Sequence, residues 1–116
     1  MNQLDIVIIN WNAGVQLREC VDSVLRYGGK IGTRTWVVDN GSTDGSLSGI
    51  EDLPGVKVIR TGRNLGFAAA CNIGAAESDS AYILFLNPDT RVESDSVSVP
   101  LLFMERPENA DVGVCG

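Results

Sequence analysis

Four short apolar runs limit what this chain can become. LDIVII (Leu4–Ile9), TWVV (Thr35–Val38), VKVIR (Val56–Arg60) and YILFL (Tyr82–Leu86) are rich in β-branched and aromatic residues and too short for buried helices. Helical patterns lie between them. Gln16–Tyr27 places Leu17, Val21, Val24 and Leu25 on one stripe and stops at Gly28-Gly29. A short helix is expected from about Asp44 to Ile50, with Ser42 or Asp44 as its N-cap. Leu65–Ala76 is a helix of small residues, with Gly66, Ala70 and Gly74 spaced for close packing. A last helix begins between Asp95 and Ser98 and ends at Arg106, with Pro100 in its first turn. Val112–Cys115 opens a fifth strand. Strands alternating with helices imply an α/β fold of three layers, a mostly parallel sheet covered on both faces.

The 116 residues suffice for one domain, 1–116, with a core of ordinary size. A net charge of −6 is a poor footprint for nucleic acid, so no nucleic-acid partner is expected. The chain has no histidine, which excludes an imidazole base or ligand supplied by it. Cys20, Cys71 and Cys115 are odd in number and widely spaced, which fits buried reduced thiols in a cytoplasmic protein. The amino terminus lacks a basic leader, and eighteen consecutive apolar residues occur nowhere. The chain ends in VGVCG, inside an apolar strand, so a truncated domain is expected. Association through the apolar face left there is expected too.

In a parallel sheet the carboxyl ends of all strands share one edge, where ligands of open α/β sheets bind. The residues that converge there are Asn10-Trp11-Asn12, Asp39-Asn40, Arg63-Asn64 and Asn87-Pro88-Asp89. In ILFLNPDT, Pro88 ends the strand because it cannot donate to the ladder, and Asp89 follows as a carboxylate. Asn-Pro-Asp is also ordinary turn chemistry. An indole beside a carboxylate and amides suits a nucleobase, which needs stacking on its ring and hydrogen bonds at its edge. No G-x-G-x-x-G and no P-loop occur. A diphosphate lacking such a cradle calls for a divalent cation, Mg²⁺ or Mn²⁺, for which Asp89 is a suitable hard ligand.

Three motifs, VVDNGSTDGS (Val37–Ser46), RNLGFAAACNIGA (Arg63–Ala75) and ILFLNPDTRV (Ile83–Val92), together with IVIINWN in the first strand, carry a resemblance. The chain resembles the amino-terminal, nucleotide-sugar-binding part of family 2 inverting glycosyltransferases, the rhamnosyltransferase-like enzymes among them. The resemblance implies the glycosyltransferase A-type fold, a Rossmann-like nucleotide-diphospho-sugar transferase domain. It also implies transfer of a sugar from a UDP- or dTDP-sugar, dTDP-rhamnose in that subgroup, to an acceptor hydroxyl with inversion. The setting would be cell-surface polysaccharide synthesis.

By this resemblance Asp39 accepts a hydrogen bond from the base imide, and Trp11 packs on the base. The Ile9 and Asn10 backbone lines the site, with Asn12 beside it. Asn64 and Arg63 hold base or diphosphate, and Asn72 faces the same cleft. Asp89 occupies the last position of an Asp-x-Asp motif and ligates the metal, whereas Asn87 departs from that motif and touches the ribose or a metal-bound water. The general base is a carboxylate beyond Gly116, so no catalytic residue is expected in 1–116. A glycan or lipid-linked acceptor would bind through that missing half, with the full-length protein cytoplasmic or peripheral at the inner face of the cell membrane. Asp44 reads as a helix cap, Gly66 and Gly74 as packing glycines, and Arg91 equally as a solvated charge or a phosphate partner. Two other readings are a sugar-phosphate nucleotidyltransferase, disfavoured by Asn12-Ala13-Gly14 where a glycine- and arginine-rich loop belongs, and a non-enzymatic nucleotide-binding module.

Overall fold

A computed structural model of the chain describes residues 4–27, 33–93, 96, 98–109, 112 and 113. The elements run β1 (Leu4–Asn10), α1 (Val15–Tyr27), β2 (Thr33–Asp39), β3 (Val56–Arg60), α2 (Phe67–Glu77), β4 (Tyr82–Leu86) and α3 (Ser98–Glu105), then a 3₁₀ turn at Pro107–Asn109. The four strands form one sheet in the order β3-β2-β1-β4, every neighbouring pair parallel. β1 is buried along its whole length, as a central strand with both faces covered must be. The expected three-layer α/β architecture is therefore what the chain adopts.

The alternation of side chains divides the core in two. Leu4, Ile6 and Ile8 of β1 and Val37 of β2 meet Leu17, Cys20, Val21 and Val24 of α1. Val7, Ile9, Trp36 and Val38 point to the other face and pack with Ala70 of α2. Each large aliphatic side chain so buried contributes about 1.5–3 kcal/mol. α2 can lie close because it presents Ala70 and Gly74 to the sheet. A Cβ on Gly74 would stand 2.5 Å from Val7 Cγ1 and 3.2 Å from Val38 Cγ2. Both valines are fully buried and β-branched, so neither can turn away. Gly74→Ala should destabilise the domain by up to about 2 kcal/mol, an overpacking cost of about 1–3 kcal/mol less the roughly 1 kcal/mol that alanine gains in a helix. Urea unfolding measures this, and an equal or raised midpoint would show that α2 moves off the sheet at no cost.

At the amino-terminal edge of the sheet, Asp5 is a fully buried carboxylate. Its Oδ2 accepts from Arg34 (3.0 Å) and from Trp36 Nε1 (3.1 Å), and its Oδ1 from Ser80 Oγ (2.8 Å). Arg34 also pairs with Asp79 at 2.9 Å and lies 5.0 Å from the centre of the Trp36 ring. Burial pushes the Asp5 carboxyl up, but these donors outweigh it and leave the group below its ordinary 3.8.

Three expectations need correction. Residues 44–50 form successive turns rather than a helix. Gly45 and Gly49 both take φ +77°, a left-handed conformation that breaks a right-handed helix. Gly66 has φ +89° and nothing within 4 Å of a Cβ, so it turns the chain into α2 and does not pack. Val112 and Gly113 are irregular, and the remainder of the expected fifth strand, 114–116, lies outside the described residues.

Candidate functional site

Because β2 and β3 lie on one side of β1 and β4 on the other, the strand order reverses between β1 and β4. Crevices at the carboxyl edge of an open α/β sheet form at such a reversal. The register aligns Asn10 with Asp39 across β1 and β2 and leaves Leu86 beside Ile8 across β1 and β4. The Asn87-Pro88-Asp89 turn therefore leaves the sheet on one flank of Asn10 as Asp39 stands on the other, two strand spacings or about 10 Å apart.

Asn10 and Asp39 point to the α1 face and touch: Asn10 Nδ2 donates to Asp39 Oδ1 at 2.8 Å. Asn10 is fully buried and Asp39 is 3% exposed. Asp39 Oδ2 accepts from the Ser42 N–H at 3.0 Å. A carboxylate has about four lone-pair sites, so each oxygen keeps capacity for a further donor. Asn10 Nδ2 also lies 3.1 Å from Ser42 Oγ and 2.9 Å from Ser46 Oγ. Asn10 Oδ1 is buried with no hydrogen-bond partner among the described residues, an acceptor that a ligand N–H or O–H, or a water, would satisfy.

The loop after β1 is tied to the loop after β2. Asn12 takes φ +51°, a left-handed conformation that asparagine tolerates better than most residues. Its N–H donates to Ser42 Oγ (2.9 Å), and its Oδ1 accepts the Thr43 N–H (2.8 Å). Asp44 Oδ2 accepts the Gly14 N–H at 2.8 Å, and its Oδ1 the Ser46 N–H at 2.9 Å. Asp44 thus stands at the start of α1 rather than capping a helix of its own, a favourable place for an anion. Hydrogen bonds from Ser46 first, with one from Gly14, hold its carboxyl below the ordinary range. Trp11 projects from this tied rim, 55% exposed.

The loop after β3 carries Arg63 and Asn64, both exposed. Asn64 Oδ1 accepts the Gly66 N–H at 2.8 Å, and Arg63 enters no ion pair among the described residues. The loop after β4 is braced by one face of α1. Cys20 Sγ donates to the Asn87 carbonyl (3.8 Å), Ser23 Oγ accepts the Val92 N–H (3.0 Å), and Arg91 pairs with Glu19. Burial pushes the Cys20 thiol up to about 11, Arg91 opposing and Asp89 adding to the rise. Asn87 and Asp89 are exposed on the span so held.

Among the residues singled out from the sequence, Ile9, Asn10, Trp11, Asn12, Asp39, Arg63, Asn64, Asn87 and Asp89 reach the carboxyl edge or the loops leaving it. Asn72 does not join them. It lies two residues from both Ala70 and Gly74, about 200° around α2 from the face that packs on the sheet, and is exposed. Arg91, paired with Glu19, belongs to the brace. Sequence reasoning put Asn40 on the edge without a role, read Ser42 as a helix cap and passed over Ser46, whose hydroxyl lies in the same DNGSTDGS motif.

No three His, Cys, Asp or Glu side chains cluster to hold a metal ion among the described residues. Asp89 offers one exposed hard carboxylate at the mouth of the crevice. That donor set fits Mg²⁺ or Mn²⁺ taken up mainly by a ligand's phosphates, with one or two carboxylates from the protein.

The family model described as Glycosyl transferase family 2 matches residues 5–115. The uncharacterized glycosyltransferase YibD of Escherichia coli strain K12 is 27% identical over 124 residues, covering 98% of this chain and 33% of YibD. Among solved structures, the mannosyltransferase PcManGT from Pyrobaculum calidifontis, in complex with GDP-Man and Mn²⁺, superposes with a TM-score of 0.82 at 18% identity, over 90% of this chain and 33% of that one. S. aureus TarS 1–349 in complex with UDP-GlcNAc superposes with a TM-score of 0.79 at 20% identity, over 90% of this chain and 31% of that one. The fold is that of these A-type glycosyltransferases, and the chain spans about a third of the length of each of these relatives.

Proposed function

The chain belongs to glycosyl transferase family 2, and from that premise we propose that residues 1–116 bind the nucleoside-diphosphate part of a sugar donor. The whole protein then transfers the sugar to an acceptor hydroxyl with inversion, in cell-surface polysaccharide assembly. The observation that carries this reading is the pairing of a buried Asn10–Asp39 acceptor site with an exposed Asp89 on the opposite flank of β1. UDP-GlcNAc in one fold relative and GDP-Man with Mn²⁺ in another support a donor of this class.

The base lies against Trp11, and its imide N–H donates to Asp39, whose orientation Asn10 and Ser42 hold before the ligand arrives. Arg63 faces the diphosphate, and Asn87 the ribose. Asp89 holds the divalent cation, which when bound offsets the charge that develops on the leaving diphosphate. On this reading the general base that deprotonates the acceptor comes from outside residues 1–116. On the same reading UDP- or dTDP-sugars are the donors, dTDP-rhamnose among them, with Asp39 accepting the imide N–H of uracil or thymine.

Asp89 supplies the test. UDP affinity measured by calorimetry should be higher with Mn²⁺ than with excess chelator, and Asp89→Asn should lose most of that difference while keeping the chelator value. Equal wild-type affinity in chelator would leave Asn87-Pro88-Asp89 as a plain turn and remove the metal from the reading.

A further inference from the structure

Asn40 is buried, 2% exposed, yet makes none of the ligand contacts assigned above. Its side chain is spent on the loop after β3. Asn40 Nδ2 donates to the Gly66 carbonyl at 3.1 Å, and its Oδ1 accepts from the Leu65 N–H at 3.4 Å and lies 3.2 Å from Thr61 Oγ1. Thr61 in turn donates its N–H to the Asp39 carbonyl (3.0 Å), and its one hydroxyl proton lies within reach of the Arg63 carbonyl (2.6 Å), the Asp39 carbonyl (3.1 Å) and Asn40 Oδ1. Next in sequence, Gly41 has φ +83°, and a Cβ on it would stand 2.8 Å from Arg63 Cα. The backbone of Arg63 therefore lies directly on Gly41, with both ends of its turn tied to the preceding residue.

We infer that Asn40 is a positioning residue for the donor: its amide holds the turn of residues 61–66, and so fixes where Arg63 and Asn64 meet the nucleotide. This rests on the donor-binding reading above. It goes further by giving the second residue of the Asp39-Asn40 pair a role that involves no contact with ligand. An ordinary strand-end asparagine would bond its own neighbours or water. This one spans some 21 to 26 residues of sequence to three points on a single turn.

The experiment is a double-mutant cycle in the intact protein, reading UDP affinity with Mn²⁺ for wild type, Asn40→Ala, Arg63→Ala and the double variant. Each single change should weaken binding by about tenfold, and the double variant should bind no worse than the weaker single one, because Asn40 acts through the turn that carries Arg63. Independent, multiplying losses would overturn the inference. So would unchanged affinity in Asn40→Ala. A merely structural asparagine would lower the melting temperature and leave the cycle additive. If Asn40→Ala does not fold, Asn40→Asp carries the same cycle, since it keeps an acceptor for Leu65 and turns the donor to Gly66 into a carboxylate oxygen that opposes that carbonyl. Amide exchange at Leu65 provides a readout without nucleotide. It should quicken in the variant, and no change there would show that Asn40 does not hold the turn. If wild type binds no UDP while the variant shows the quickened exchange, the donor reading falls and Asn40 is confined to the loop.

Discussion

Asp39→Ala should weaken UDP and dTDP binding by about 10- to 150-fold, the loss of one hydrogen bond to a charged acceptor. The carboxylate is buried, is oriented by Asn10 and Ser42, and keeps lone pairs for a base imide. The loss should follow the base: pyrophosphate with Mn²⁺ should bind the variant as it binds wild type, because Asp89 and Arg63 are untouched. This pattern is the converse of that for Asp89→Asn, which alters metal dependence and spares the base. Calorimetry on the two ligands, with the melting temperature as a check on folding, decides the matter. A folded variant with full dTDP affinity would remove Asp39 from the site.

The second large effect lies at the other end of the sheet. Asp5→Ala should cost about 3 kcal/mol of stability, at the low end for breaking a buried ion pair, because Arg34 is partly exposed and can regain water. For a domain of this size the melting temperature should fall by roughly 10 °C or more. The pH dependence has a fixed sign. The folded-state carboxyl sits below its ordinary 3.8, so its contribution is complete above that value and is lost as pH falls through the lowered one. Wild-type stability should therefore drop in that acid window more steeply than that of Asp5→Ala. Parallel acid limbs for the two proteins would mean that Arg34, Trp36 and Ser80 do not favour the charged form.

Much of the fold was legible because short β-branched and aromatic runs between turn residues read as strands, in buried β1 as in the half-exposed edge strands β3 and β4. Val56–Arg60 and Tyr82–Leu86 are strands over the stretches read from the sequence, and α1 begins one residue earlier than expected, at Val15. The 44–50 segment was misread because Gly45 and Gly49 are tolerable in a helix on paper, and only their left-handed backbone excludes one. α3 begins within the expected range, at Ser98, and ends one residue earlier than expected, at Glu105, with Pro100 in its first turn.

The site divides along the same line. That Asn10, Trp11, Asp39, Arg63 and Asp89 share one edge followed from the sequence, since parallel strands bring all their carboxyl ends to one side. Which of them touch did not follow, because contact depends on strand order and register. The Asn10–Asp39 bond exists because β1 lies beside β2 with those two residues aligned. Asn72 was misplaced for a similar reason: the rotation of α2 is set by Ala70 and Gly74 packing on Val7 and Val38, not by the helix's own sequence period. The Asp5 cluster draws on β1, β2 and the loop before β4, and the Asn40 clamp on two loops more than twenty residues apart. The four strands, α1, α2 and α3 and the edge at which the strands end were readable from the residues alone, because apolar periodicity and chain-breaking residues act locally. Only the tertiary structure decided which polar side chains are spent on one another and which stay open to a ligand, because hydrogen bonds between distant segments exist only once the sheet has set their separation.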